Sequence, residues 1–228
     1  MHHYNTQSFP GRGLKSAFGL LELLLSLAIV AIVAALLFAS VGKLSQSARS
    51  TRCLSQLRQV TSGLLSMAAD SGNRISSGFS GNNMETSEIW GWQLENRRYI
   101  PIRSALRCPA GYCTFSLSAS TWAWQTYGLN MYGPAGAITT TVDRPRKVFN
   151  LKLANLEAPA QYLLLADSGA PSGGQYSQTF RIQRETGGVH LRHGGKLNAT
   201  FADGHAESLS YESVERLTKE ARIPIYQD

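Results

Sequence analysis

The longest apolar stretch of the chain lies near its N-terminus, from Phe18 to Ala39. Glu22 is the one charged residue within it. A helix of this length extends over roughly 33 Å at about 1.5 Å per residue, which matches the ~30 Å hydrocarbon core of a bilayer. The pattern therefore predicts a membrane-spanning helix over residues 18–39.

Beyond this stretch, hydrophobic and small residues recur at steps of three and four along residues 40–70, and basic residues lie between them. The spacing predicts an amphipathic helix that continues from the span. It should end at residues 70–73, where residues that break helices cluster. The recurring positions are Val41, Leu44, Ala48, Thr51, Leu54, Leu57, Thr61, Leu64 and Ala68.

The remaining residues, 71–228, are enough for one head domain with its own core. Residues 71–83 are rich in glycine, serine and asparagine and predict a loop. In residues 187–210, three alternating segments are separated by a Gly-Gly pair and by Asp203-Gly204, both of which suit tight hairpin turns. The sequence thus predicts an α+β protein in which a long helix packs on a small antiparallel sheet.

Composition narrows the classes of function. The 228 residues carry a formal charge of +7 without a dense run of lysine and arginine, so we expect a solvated basic surface rather than nucleic-acid binding. The sequence contains no nucleophile elbow, phosphate-binding loop or dinucleotide fingerprint. We therefore expect no enzymatic activity.

The chain has three cysteines, an odd number for an exported domain. Cys108 and Cys113 are close enough in sequence to close a small disulfide loop, with Gly111 allowing a tight turn. Cys53 is then left over. No pair has the Cys-x-x-Cys spacing of a typical structural zinc site.

The residues before the apolar stretch change how this stretch is interpreted. A short polar leader, residues 1–17, is followed by the junction Ala17-Phe18, and Glu22 is the fifth residue counted from Phe18. This arrangement resembles the processing site of type IV prepilins, although glycine is more usual than alanine before the cut. The resemblance implies that a membrane peptidase cuts after Ala17, that Phe18 is then N-methylated, and that Glu22 acts in assembly.

A second resemblance covers nearly the whole chain. His193 is followed after nine residues by Asp203-Gly204, which resembles the H-X9-DG signature of a bacterial family of prepilin-like proteins. Cys108-Pro109 and the segment from Leu156 to Ser168 resemble other recurrent segments of that family, in the same order. The resemblance implies a pilin-like fold related to the major pseudopilin of type II secretion.

The same resemblance implies a structural subunit of a secretion pseudopilus or of a pilus. Such a subunit crosses the inner membrane once, with its N-terminus in the cytoplasm and its head in the periplasm, and enters a filament. The implied partners are copies of itself, other pseudopilins, prepilin peptidase and an inner-membrane assembly platform.

Two simpler interpretations of the apolar stretch remain. One is a secretory signal, although the stretch is long for that role and contains an acid. The other is a plain membrane anchor, which needs neither Glu22 nor the Ala17-Phe18 junction.

An alternative function is a membrane-tethered, metal-binding or hydrolytic domain in the periplasm. Its candidate ligands are His190, His193, Asp203 and His205. A strand of about 20 Å between His193 and Asp203 argues against one shared ion. By analogy with related pseudopilins, calcium is the cofactor to consider, with Asp167, Ser168 and Asp203 as oxygen ligands.

Overall fold

The structure of the chain is a computed structural model that describes residues 19–80, 89–134, 136–143, 146–184 and 187–227. The predicted leader and the Ala17-Phe18 junction lie outside these residues. The chain divides into two compact units, Met1–Leu44 and Ser45–Asp228. One helix, α1 (Leu20–Asp70), contributes to both units, and we call the second unit the head.

In the first unit, the apolar part of α1 has the properties of a membrane span. Residues Leu20–Phe38 have a mean hydropathy of 2.8, and none of them is buried. Glu22 lies in the first turn, where its carboxylate accepts a hydrogen bond from the Gly19 amide at 3.3 Å. Of the helices in the described residues, this one alone is long and apolar enough to cross a membrane, and a signal sequence can share these properties.

In the head, one face of α1 forms part of the core. Its buried side chains recur at helical spacing and are those of Cys53, Leu57, Val60, Thr61, Leu64, Met67 and Ala68. The buried stripe includes Cys53 and not Thr51, which is exposed. The helix ends at Asp70, within the predicted stop, and Gly72 and Asn73 have positive φ angles of 69° and 57° that turn the chain away.

The described part of the head contains two short helices and three sheets. The helices are α2 (Trp90–Asn96) and α3 (Tyr211–Thr218). The first sheet consists of β1 (Arg74–Ser80), β3 (Ile138–Asp143) and β4 (Arg146–Lys152), in the order β1-β4-β3. The second consists of β2 (Gly128–Asn130), β5 (Leu163–Ala166), β8 (Arg181–Ile182), β10 (Leu197–Phe201) and β11 (Ala206–Leu209), in the order β11-β10-β5-β2-β8. The third consists of β6 (Ser168–Ser172), β7 (Gln175–Ser177), β9 (Gly188–Leu191) and β12 (Ile225–Gln227), in the order β12-β9-β6-β7.

The α+β class is confirmed, but the predicted three-stranded meander is wrong in one strand. β10 and β11 form an antiparallel hairpin around Asp203-Gly204, as predicted. β9 does not extend this hairpin, because it pairs antiparallel with β6 and parallel with β12 in another sheet. Gly194 and Gly195, with φ angles of 65° and 75°, carry the chain between the two sheets. Two of the three sheets are mixed rather than antiparallel, because β9 pairs parallel with β12 and β2 pairs parallel with β8.

The predicted loop over residues 71–83 is also wrong in part, because residues Arg74–Ser80 form β1. This strand pairs antiparallel with β4, and Ile75 lies opposite Leu151 in the register. Both of these residues are buried. Glycine and serine have little strand propensity, and here the backbone pairing and the burial of Ile75 override it.

A hydrogen bond in the core joins α1 to the second sheet. The Oγ1 atoms of Thr61, on α1, and Thr200, on β10, are 2.6 Å apart, and neither side chain is exposed. Apolar side chains of the helix, Leu57 and Leu64, belong to the same core cluster as Leu165 of β5. The second half of α1 therefore packs against the sheet through both apolar and polar contacts.

We expect Thr61→Val to lower the free energy of unfolding of the head by about 1–3 kcal/mol. The substitution leaves the buried Thr200 hydroxyl with one long contact, 3.5 Å to the Leu165 carbonyl. The double variant Thr61→Val/Thr200→Val should lose less than the sum of the two single variants, since it removes both hydroxyls. Chemical denaturation of all four proteins measures this coupling, and strictly additive losses would contradict it.

Candidate metal centre

Four side chains from distant parts of the sequence meet in the core of the head. Cys53 belongs to α1, and Cys108 to the segment that follows a 3-10 turn at Arg103–Leu106. Asp167 lies at the junction of β5 and β6, and His193 follows β9. Each offers one atom of a type that binds metal ions, and these four atoms lie within 4.8 Å of one another. All four residues are buried. We call them the Cys-Asp-His cluster, a group that can hold a metal ion.

The distances within the cluster show that the donor atoms converge. His193 Nε2 lies 3.0 Å from Asp167 Oδ2 and 3.3 Å from Cys108 Sγ. Cys53 Sγ lies 3.5 Å from Oδ1 and 3.4 Å from Oδ2 of Asp167. The atoms thus surround a common point instead of forming a linear relay.

The backbone fixes Asp167 where the chain passes from the second sheet to the third. Its amide donates to the Asn198 carbonyl at 3.0 Å, and its carbonyl accepts from the His190 amide at 3.0 Å. The Asn198 side chain in turn donates to the Ser50 carbonyl at 3.0 Å, about one helical turn before Cys53. Two sheets and α1 therefore hold the carboxylate in place.

Burial and charge act in opposite directions on the ionisable groups. Burial disfavours the Asp167 carboxylate, but the hydrogen bond from His193 and the charge of Arg192 outweigh it and hold its pKa below the usual value. Burial disfavours the His193 imidazolium, but hydrogen bonds to Asp167 and Cys108 raise its pKa from 6.5 to about 9. Burial raises the pKa of Cys108 well above its usual range. At neutral pH these shifts favour a carboxylate at Asp167, an imidazolium at His193 and a thiol at Cys108.

The cluster does not have the geometry of a nucleophilic triad. In such a triad, the nucleophile and the carboxylate contact opposite nitrogens of the imidazole. Here Cys108 and Asp167 both face Nε2 of His193, and its Nδ1 atom has no hydrogen-bond partner among the described residues. The raised pKa of Cys108 also disfavours the thiolate that a nucleophile needs. Ligation of one ion suits the arrangement better than a proton relay.

The residues predicted for a hydrolytic metal site are not brought together. His193 belongs to the cluster, whereas the ring of His190 packs against Tyr176 with centroids 5.1 Å apart. Asp203 and His205 form an exposed pair, 2.6 Å apart, in the turn between β10 and β11. The strand β10 separates this pair from His193, as its length predicts.

The predicted calcium ligands are also dispersed. Asp167 lies in the cluster, whereas the carboxylate of Asp203 contacts His205. The Ser168 hydroxyl donates to the Thr179 carbonyl at 2.6 Å. The two cysteines beside Asp167 are poor ligands for calcium, which binds oxygen.

The two ends of the H-X9-DG segment have different surroundings. His193 is buried in the cluster. Asp203 accepts a hydrogen bond from the His205 amide at 3.1 Å, and Gly204 has a φ angle of 94° that glycine adopts without steric cost. The first end therefore contributes to the core, and the second end forms the turn of the β10-β11 hairpin.

The predicted disulfide between Cys108 and Cys113 is not formed in this structure, in which all three cysteines are free. The segment does turn, with the Gly111 amide donating to the Cys108 carbonyl at 2.9 Å. The two thiols nevertheless point to different neighbours: Cys108 faces His193, and Cys113 Sγ lies 3.3 Å from Gln178 Oε1.

A surface groove of about 690 Å³ lies elsewhere on the head, and no residue of the Cys-Asp-His cluster lines it. Its lining includes Tyr132, Tyr162, Arg184 and Glu220. Among the described residues, the cluster is the one group of at least three potential metal ligands. The groove and the candidate metal centre are therefore separate features.

Comparisons with known proteins identified no relative of this chain. No protein-family model, no curated protein and no solved structure matches the chain. The fold and the cluster define an α+β protein with one apolar N-terminal helix and a buried group that can hold a metal ion.

Proposed function

We propose that the protein is a structural, prepilin-like subunit. It is anchored by the apolar segment over residues 18–39 and assembles through this segment into a pseudopilus for type II secretion or into a pilus. The observation that carries the proposal is the Leu20–Phe38 part of α1, in which no residue is buried although the mean hydropathy is 2.8. A surface of this kind needs lipid or other apolar helices to cover it.

Glu22 favours a helix that meets partner helices over a passive anchor. An ionised carboxylate at mid-membrane costs on the order of 2.5–3.5 kcal/mol, and less near the interface. A partner cation offsets this cost, and the resemblance of the leader supplies one in the α-amine of Phe18 on a neighbouring subunit. Small residues at steps of three and four allow close helix approach, namely Ala28, Ala31 and Ala35.

In this proposal, prepilin peptidase cuts between Ala17 and Phe18 and methylates the new N-terminus. The N-terminus faces the cytoplasm and the head faces the periplasm. The assembly platform of the inner membrane then transfers the subunit into a filament with copies of itself and other pseudopilins. No residue is assigned a catalytic role.

The intact mass of the membrane-extracted protein tests this proposal. With active prepilin peptidase in the same cells, we expect a chain that begins at N-methylated Phe18. Without the peptidase, we expect the leader to be retained. The control is Ala17→Leu, which should block the cut because the family's processing site has a small residue there. An uncut wild-type chain, in cells where a known prepilin is cut, would refute the proposal.

The Cys-Asp-His cluster favours a second candidate function, a membrane-tethered domain that binds a metal ion. In this alternative, the apolar part of α1 is a plain anchor. The hydrolytic version is less favoured, because four protein ligands complete a tetrahedral coordination shell and leave no position for a reacting water. An unprocessed chain that carries stoichiometric metal would support this alternative over the prepilin-like subunit.

A further inference from the structure

We propose that the Cys-Asp-His cluster binds one zinc ion, which fastens the head part of α1 to the sheets of the head. The ligand atoms are Cys53 Sγ, Cys108 Sγ, one carboxylate oxygen of Asp167 and His193 Nε2. This site is separate from the helix surface that the proposed assembly uses, so either can exist without the other.

The donor set selects the class of metal. Thiolate, imidazole and carboxylate groups together are ligands of Zn²⁺, whereas Ca²⁺ and Mg²⁺ take oxygen ligands. Four protein ligands with no open position are typical of structural zinc sites. All four residues are buried, as expected for a closed site rather than a catalytic one.

The geometry is close to what a tetrahedral zinc site requires. Zinc binds sulfur at about 2.3 Å and nitrogen or oxygen at about 2.0–2.2 Å, so neighbouring ligand atoms lie roughly 3.3–3.8 Å apart. In the structure, the separations are 3.0 Å between His193 and Asp167, 3.3 Å between His193 and Cys108, and 3.4 Å between Cys53 and Asp167, and the other pairs lie within 4.8 Å. Binding of the ion requires the 3.0 Å contact to open and any pair near the 4.8 Å limit to close, which side-chain movements can provide.

The surrounding charge also suits the ion. Two thiolates, one carboxylate and a neutral imidazole around Zn²⁺ carry one net negative charge. The guanidinium of Arg192 is buried next to this site and donates through Nη2 to the Ser168 carbonyl. Its Nε and Nη1 atoms have no hydrogen-bond partner among the described residues. A buried cation with spare donors balances the charge of the zinc-bound cluster.

Two other states of the cluster compete with zinc. In the first, Asp167 and His193 form a buried ion pair and both thiols stay protonated. In the second, Cys53 and Cys108 form a disulfide, since their sulfur atoms are within 4.8 Å of one another. The first state engages all four atoms in contacts of 3.0–3.5 Å, and the second uses only the two sulfur atoms. We infer the metal-bound state because two thiols, an imidazole and a carboxylate that are buried together form a donor set typical of zinc.

Zinc at this place would link parts of the fold that are far apart in sequence. It joins α1 to the segment after the Arg103–Leu106 turn, to the junction of β5 and β6 and to the end of β9. Because an unfolded chain does not present these ligands together, the binding free energy contributes directly to folding. The site would keep the second half of α1 attached to the head while the Leu20–Phe38 part contacts lipid or partner helices.

The zinc content of the full chain, purified in mild detergent with a reductant and without chelator, tests this proposal. Elemental analysis should find one zinc ion per chain. Cys53→Ser and Cys108→Ser should each lower the affinity for zinc by about tenfold or more. The matched controls Cys113→Ser and His190→Gln should keep it, since Cys113 is a cysteine outside the cluster and His190 is a buried histidine outside it.

Cobalt substitution in the wild-type chain gives a reading that does not depend on how well the variants fold. Co²⁺ held tetrahedrally by thiolates shows sulfur-to-metal charge-transfer and visible bands, which stoichiometric Zn²⁺ should abolish. Wild-type protein with free thiols that takes up neither ion would overturn the proposal. So would a chain lighter by two hydrogen atoms in which Cys53 and Cys108 resist alkylation, because that chain contains the disulfide instead.

Discussion

Replacing Asp167 with alanine is expected to lower the free energy of unfolding of the head by about 3–5 kcal/mol, even when a chelator keeps metal ions away. The carboxylate is fully buried and lies 3.0 Å from His193 Nε2. It also accepts a hydrogen bond from the Cys53 thiol at 3.4 Å. Its removal takes away the hydrogen bond and the charge that raise the pKa of His193. The imidazole is then buried either charged without a partner or neutral, and both states are less favourable than the protonated imidazole of the unfolded chain at acidic pH.

The pH of the measurement decides how much of this effect is observed. The pKa of His193 is raised from 6.5 to about 9 in the folded protein. The stability that its protonated form contributes is fully present below about pH 6.5 and is lost as the pH rises through about 9. Denaturation should therefore be followed below pH 6.5, through the fluorescence of tryptophans that are buried in the head, such as Trp90 and Trp122.

The matched control is Asp203→Ala, which removes another aspartate paired with a histidine. Asp203 and His205 are 2.6 Å apart, but their side chains are 36% and 42% exposed, whereas those of Asp167 and His193 are 0% and 1% exposed. An exposed pair contributes no more than about 1 kcal/mol, because solvent screens the charges. Equal losses in the two variants would show that the buried pair has no special role in the stability of the head.

The helix could be predicted from the sequence because its signals are local. The apolar stretch that contains Leu20–Phe38 and the three-and-four spacing that follows it both depend on residues within a few turns of one another. The same holds for the end of α1 at Asp70, where breaker residues follow directly. Tertiary contacts were needed to show which positions are buried. Of the predicted positions, Leu44, Ala48 and Thr51 are exposed, whereas the core contains three residues that the stripe did not include, namely Cys53, Val60 and Met67.

The sheets were harder to predict because their partners are not local. β1 has a composition typical of a loop and becomes a strand through its pairing with β4, whose residues come more than sixty positions later. β9 precedes a Gly-Gly turn that suits a hairpin, yet its partners are β6 and β12. Turn chemistry predicts that the chain reverses, but it does not determine which strand is the neighbour.

The candidate metal centre shows the same limit. Asp167 and His193 were each predicted as possible ligands, but within different sets. Cys53 is 114 residues from Asp167, and Cys108 is 85 residues from His193. The Cys-x-x-Cys test searches for ligands that are neighbours in sequence, so it could not find this group. The odd number of cysteines was the one available sign that a thiol had a role other than a disulfide.

Replacing Glu22 with alanine is expected to leave membrane insertion intact and to abolish filament assembly. Removal of the carboxylate makes the Leu20–Phe38 segment more apolar, so insertion should not suffer. Under the proposed function, assembly needs the carboxylate to neutralise the α-amine of Phe18 on a neighbouring subunit. Leucine and alanine side chains provide contact area along the whole helix, and a single charge pair within it fixes the axial register.

The matched control for this prediction is Ser26→Ala. Ser26 lies one helical turn after Glu22, and its hydroxyl donates to the Leu23 carbonyl at 2.8 Å, within its own helix. We expect Ser26→Ala to assemble like the wild type and Glu22→Gln to fail like Glu22→Ala, since glutamine keeps the shape but not the charge. Membrane fractionation measures insertion, and electron microscopy of sheared and sedimented filaments measures assembly. Normal filaments of Glu22→Ala would refute the charge pairing, and failure of Ser26→Ala as well would assign the effect to packing on this helix face.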